Sequence, residues 1–144
     1  MTYQIVVGVD GSDASERALR WAASEARARG GTVQAITAWR WDGSGTFFVA
    51  ATSPADERER ARQILDETLA KVAEDFTDVP ILGELVEDTP GRALTHQPAD
   101  ILVLGSHGHS RLHHAVLGSV SEECVRRATC PVVVLPTPVP AVAL

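Results

Sequence analysis

The chain has 144 residues, enough for one domain that buries about two-thirds of the surface its unfolded form exposes. No apolar run is long enough to span a bilayer, and a net charge of −6 argues against a groove for a nucleic-acid backbone. Residues 1–4 lack the basic start and apolar stretch of a secretory leader, so the expectation is a cytoplasmic protein with no membrane partner. Cys124 and Cys130 lie six apart, match no zinc or redox spacing, and read as free thiols. Lys71 is the sole lysine, in a charged helical stretch, so any chemistry that needs a lysine must use it.

Residues 3–9 are a short apolar run rich in β-branched residues, a buried strand that ends at Asp10-Gly11-Ser12-Asp13. From 14 to 29, Ala18, Leu19, Ala22, Ala23 and Ala26 recur at helical spacing. Ser12 or Asp13 can cap that helix, Asp13 with Glu16 fits a capping box, and Gly30-Gly31 stops it. Residues 32–38 form a second strand. Residues 39–52 show no helical period and carry Trp39, Trp41, Phe47 and Phe48, a long aromatic loop that suits a lid or a contact surface. The two tryptophans could cover a ligand or pack on the sheet edge.

Ser53-Pro54-Ala55-Asp56 opens a second helix, whose stripe runs through Ala61, Ile64, Leu65, Leu69, Val72 and Phe76. Glu67 and Lys71 are spaced for an i,i+4 pair. Residues 80–87 form a third strand, interrupted by Gly83. Residues 88–99 are close to the minimum for a crossover to a parallel strand, and Pro90 and Pro98 limit any helix there to about two turns. Residues 100–104 form the fourth strand. Residues 119–128 form a helix in which Ser119 and Glu122 fit a capping box, and Cys124 shares its apolar face with Val120 and Ala128. Residues 132–135 form the fifth strand, and Pro136, Pro138 and Pro140 end regular structure, which leaves 137–144 as a proline-broken tail. Near-continuous apolar strands alternating with helices predict an α/β domain, a doubly wound, mostly parallel five-stranded sheet with helices on both faces.

Ligands of such sheets bind beyond the C-terminal strand ends, where the winding reverses. Two turns there are unusual. The first strand ends in Asp10-Gly11-Ser12. The fourth ends in Gly105-Ser106-His107-Gly108, followed after nine residues by Gly118-Ser119 at a helix start. Glycines between a buried strand and a helix let the backbone approach an anion, and the helix start offers it unpaired N–H groups. His107, His109, His113 and His114 crowd the same loop with Arg111. His109 and His113 have the spacing to share a cation, but the loop holds no cysteine or carboxylate to complete a site, so no metal ligand is assigned.

The pattern glycine, two residues, glycine, nine residues, glycine, serine at Gly105, Gly108, Gly118 and Ser119 resembles the nucleotide-binding signature of the universal stress protein family. The opening Ile5-Val6-Val7-Gly8-Val9-Asp10-Gly11-Ser12 and the closing Cys130-Pro131-Val132-Val133-Val134 are similar to it as well, so the likeness covers roughly residues 3–136 and places the domain at 1–136. The resemblance implies a strand order of 3-2-1-4-5 and a stress-response regulatory protein that holds ATP, with Mg2+, between the first and fourth strands as a switch. It implies that Asp10, in the turn with Gly11 and Ser12, contacts the ribose or adenine side, that Ala38 lies against the adenine, and that Leu104 and Gly105 line base and ribose. Gly108, Gly118, Ser119, Val120 and Ser121 would hold the phosphates through N–H and hydroxyl groups. It also implies a homodimer along the strand at 132–135. The short third crossover departs from the family pattern, and its helix is expected on the sheet away from the phosphates.

No catalytic residue is assigned. A P-loop hydrolase needs a lysine on the β/γ-phosphates, and the signature here has neither that lysine nor the P-loop form. A phosphorelay receiver needs a lysine after the fifth strand, where this chain has Pro136. Two alternatives to the switch remain open: a slow ATPase of the adenine-nucleotide α-hydrolase-like fold, although the first turn lacks the Ser-Gly-Gly-x-Asp-Ser loop of that fold, and a nucleotide-free dimeric scaffold.

Overall fold

Apolar strands joined by helical segments can bury both faces only if each connection crosses back over the sheet. The computed structural model, which describes residues 2–41, 53–106 and 117–136, shows that arrangement. The elements in order are β1 (Gln4–Gly8), α1 (Asp13–Arg29), β2 (Thr32–Trp39), α2 (Pro54–Ala73), β3 (Ile81–Glu87), α3 (Pro90–Thr95), β4 (Ile101–Gly105), α4 (Ser119–Arg127) and β5 (Val132–Leu135). All strand pairs are parallel and the sheet order is β3-β2-β1-β4-β5, as the resemblance implied. The winding therefore reverses between β1 and β4.

Successive strand residues point to opposite faces. Ile5, Val7, Val33, Ala35 and Val103 face α1 and α2, where Leu19, Ala22, Leu65 and Val72 close one core. Val6, Ile36, Leu102 and Leu104 face α3 and α4, where Ala93, Leu94 and Cys124 close the other. Ile5, Leu19, Ile36, Leu65 and Leu102 are among the largest fully buried side chains, and each contributes about 2 kcal/mol of transfer free energy.

Ser12 alone caps α1, its side chain accepting from Ser15 N–H, so Asp13 is the first helical residue and the Asp13–Glu16 capping box does not form. At α2 the capping box is Ser53 with Asp56, and Pro54 follows the cap. Lys71 reaches Glu16 of α1 at 3.8 Å. Arg20 joins Glu16 (3.3 Å) to Asp75 (2.6 Å), and Arg27 pairs with Asp78 at 2.7 Å while lying over the Phe76 ring. These contacts seat the chain leaving α2 on α1.

The crossover helix α3 has six residues. The sheet face it leaves uncovered carries polar side chains instead: Thr32 donates to Gln4, Gln4 to Gln34, and Gln34 to Glu84. Among the described residues no helix is long and apolar enough to cross a membrane. Most of the aromatic loop (42–52) and the tail 137–144 lie outside the described residues. Trp39 belongs to β2, where its carbonyl accepts from Asp88 N–H, and Trp41 is exposed.

Candidate functional site

Ile5, Val6 and Val7 pair in register with Ile101, Leu102 and Val103, so β1 and β4 end side by side. Beyond those ends lies a cavity of about 210 Å³ at the point where the winding reverses. Ile36, Ala38, Leu94 and Leu104 give it apolar walls, and the starts of α1 and α4 give it polar ones.

The turn into α1 closes on itself. Gly11 takes φ +85°, a conformation open to glycine, which folds the Asp10 carboxylate back over the helix start. Asp10 Oδ1 accepts from the Ser12 N–H (2.9 Å) and the Ser12 hydroxyl (2.5 Å). Ser12 Oγ in turn accepts from Ser15 N–H at 3.1 Å. Ser15 Oγ donates to the Ser12 carbonyl (3.0 Å) and accepts from Asp10 N–H (3.2 Å). Both serines are buried, so the carboxylate stands on a fixed frame.

The turn into α4 is built differently. Its N-cap is Gly118, which brings no capping side chain, so the Ser119–Glu122 box expected from the sequence does not form. Gly118 N–H donates to the Ser106 carbonyl at 2.7 Å, and the first intrahelical bond runs from Glu122 N–H to the Gly118 carbonyl. Ser119, Val120 and Ser121 thus make up a first turn whose N–H groups have no carbonyl within the helix to bond. The Ser121 hydroxyl points inward and donates to the Gly105 carbonyl at 2.8 Å, with the Ser106 carbonyl at 3.3 Å.

Gly105 brings the two turns together. A Cβ there would stand 2.8 Å from the Ala14 Cβ and 3.1 Å from the Ala14 backbone, so only glycine lets β4 end against the start of α1.

Of the residues singled out in the sequence, Asp10, Ser12, Ala38, Leu104, Gly105, Gly118, Ser119, Val120 and Ser121 line this one cavity. Gly11 does not appear in its wall; its conformation shapes the turn. Gly108, Arg111, His107, His109, His113 and His114 lie outside the described residues. Sequence reasoning missed Ser15, although a serine three residues after Ser12 was a visible cue. It also missed Pro90 and Leu94. The crossover helix was expected away from the phosphates and was given no part in the site, yet both of these residues line the cavity. With no side chain on Gly8, Leu94 packs directly over β1 and draws the short helix to the pocket.

Among the described residues no group of three histidines, cysteines or acids is placed to hold a metal ion. Cys124 is fully buried, and desolvation, aided by the Glu123 charge, pushes its thiol up to about 11. Burial first, then the Asp100 charge, raises Cys130 as well, so neither thiol is activated.

A doubly wound parallel sheet with a crevice at its switch point, flanked by the starts of α1 and α4, defines an α/β domain of the class in which ligands sit at that point. The model of the universal stress protein family matches residues 1–136, and the chain belongs to that family. The universal stress protein Rv2005c of Mycobacterium tuberculosis is 35% identical over 132 residues, 90% of this chain and 44% of that protein. The chain therefore spans about half the length of the curated relatives it matches. A crystal structure of a universal stress protein in complex with cAMP superposes with a TM-score of 0.70 at 28% identity, covering 95% of this chain and 98% of that one. The universal stress protein of Archaeoglobus fulgidus in complex with dAMP gives 0.68 at 26% identity, covering 92% and 96%.

Proposed function

We propose that this domain binds an adenine nucleotide, ATP with Mg2+, in the crevice between β1 and β4, and that the bound state is the regulatory signal in a stress response. The observation that carries this reading is the start of α4, where Gly118 brings no capping side chain and the first-turn residues Ser119, Val120 and Ser121 line the cavity. Such a start carries about half a positive charge and suits phosphate. The apolar wall of Ala38, Leu104 and Leu94 offers a slot for the base, with Asp10 toward the ribose. Family members in complex with cAMP and dAMP support an adenine nucleotide as the ligand class.

Asp10 is the only acid among the described lining residues, too few for a protein-built magnesium site. Magnesium commonly binds through one or two carboxylates together with substrate phosphates, so the ion would come with the triphosphate. Lysine is absent from the described lining, which favours holding over cutting the nucleotide. The reading extends to a homodimer along β5, an edge strand paired on one side by β4 and half-buried at all four residues. It also places the protein in the cytoplasm.

Denaturing the purified protein and identifying any released nucleotide by mass spectrometry tests the proposal. Intact ATP supports the switch. ADP with measurable turnover supports the slow ATPase, and no nucleotide with no binding on titration supports the scaffold.

A further inference from the structure

We propose that the Ser121 hydroxyl is a positioning group that never touches the nucleotide. Buried, it fixes the first turn of α4 against the end of β4, so that this turn meets the phosphate already in place. The proposal rests on the nucleotide reading above and departs from the role the resemblance implied for this serine.

A serine hydroxyl has one proton to give. In Ser121, which is 3% exposed, that proton goes to the Gly105 carbonyl at 2.8 Å, with the Ser106 carbonyl at 3.3 Å as second acceptor. A phosphate oxygen only accepts, so this hydroxyl cannot serve it while the bond stands. Serines in a helix usually bond a carbonyl one turn back. This one reaches across to another element, 16 residues away in sequence.

Two bonds hold the helix start. Gly118 N–H takes the Ser106 carbonyl and the Ser121 hydroxyl takes the Gly105 carbonyl. They grip the turn at both of its ends, and with a glycine at the cap no N-cap side chain adds to them. Cys124, one turn further on and fully buried, holds the body of the helix but not its first turn. Because Gly105 also abuts Ala14, the Ser121 bond sets α4 relative to α1 as well as to β4.

The experiment titrates AMP and adenosine separately into the purified full chain by calorimetry; the affinity ratio of the two isolates the phosphate. In the wild type AMP binds more tightly. Ser121→Ala is expected to shrink that preference about fivefold or more, with adenosine affinity kept within about twofold, and Ser121→Thr restores it. Thr68→Val removes another buried hydroxyl, one bonded within α2 to the Ile64 carbonyl and remote from the cavity. It lowers the melting temperature and leaves the ratio unchanged. An equal loss for both ligands in Ser121→Ala, or an unchanged ratio, overturns the proposal. A wild type that binds neither ligand defeats the nucleotide reading instead. Amide hydrogen exchange of residues 118–122 in the ligand-free protein then decides the positioning role: faster exchange in Ser121→Ala, reversed by Ser121→Thr, sustains it, and unchanged exchange overturns it.

Discussion

The starts of α1 and α4 face one cavity and solve the same problem in opposite ways. Each helix begins with N–H groups that the helix itself cannot satisfy. At α1 the chain supplies the partners: Ser12 accepts from Ser15 N–H, and Asp10 accepts from both donors of Ser12. At α4 the cap is Gly118, and among the described residues no side chain caps the turn. The start of α2, far from the cavity, is closed by Ser53 and Asp56. Among the described residues the short α3 also begins without a side-chain cap, at Thr89, and both it and α4 bring their first residues, Pro90 and Ser119, to the cavity. At α4 the proposed phosphate would take the place of the cap that Gly118 does not supply.

The largest effect is expected from giving α4 the cap it lacks. Gly118 has φ −63° and ψ 163°, which any residue adopts, so Gly118→Asp fits the backbone. The new carboxylate would take up first-turn N–H groups and repel phosphate. Nucleotide affinity should fall about a hundredfold or more by calorimetry, with the melting temperature held or raised. Retained affinity would erase the distinction between the two helix starts.

Gly105→Val tests whether the two starts need their close approach. Its Cβ would press on Ala14, and a loss of about 1–3 kcal/mol in denaturant unfolding is expected, with weaker nucleotide binding. A stable variant with normal affinity would show that the contact is dispensable.

Ser12→Ala sharpens the comparison from the capped side. It removes the α1 cap and one partner of Asp10, and should cost about 1 kcal/mol, or about 3 °C in melting temperature. Its effect on phosphate preference should be much smaller than that of Gly118→Asp.

The smallest effect belongs to α2. Hydrogen bonds from the Ser53 backbone first, then its side chain, hold the Asp56 carboxyl below its usual range. A lowered carboxylate stabilises the fold above its unfolded pKa, and that contribution disappears as pH falls through the folded value. Asp56→Asn should therefore lower the melting temperature slightly at neutrality and flatten the acid limb of the melting profile below about pH 4. An unaltered acid limb would show that this exposed cap does not contribute.

The pattern along the chain carried most of the fold. Apolar runs, helical stripes and glycine stops located the five strands, α1 and α4 within about a residue, because each signal is local. The α2 stripe ran on to Phe76, past the helix end at Ala73, and α3 had only its bracketing prolines to mark it. The cap of α4 was misplaced by one residue for a physical reason. Ser119 and Glu122 have the right spacing for a box, but Gly118 N–H is held by the Ser106 carbonyl and Ser121 by the Gly105 carbonyl, and these distant bonds set where the helix begins. The wall from α3 was illegible for the same reason: Leu94 reaches the cavity by packing over Gly8, a contact between residues far apart in sequence. The turn at Asp10, whose partners lie within five residues, was visible from the start.

The bond between Gly118 N–H and the Ser106 carbonyl also bears on how this family can diversify. It ties Ser106 to the start of α4 through main-chain atoms alone, so no side chain is needed for it. Any residue but proline at 118 keeps the donor, so relatives that differ at these two positions can seat α4 in the same way.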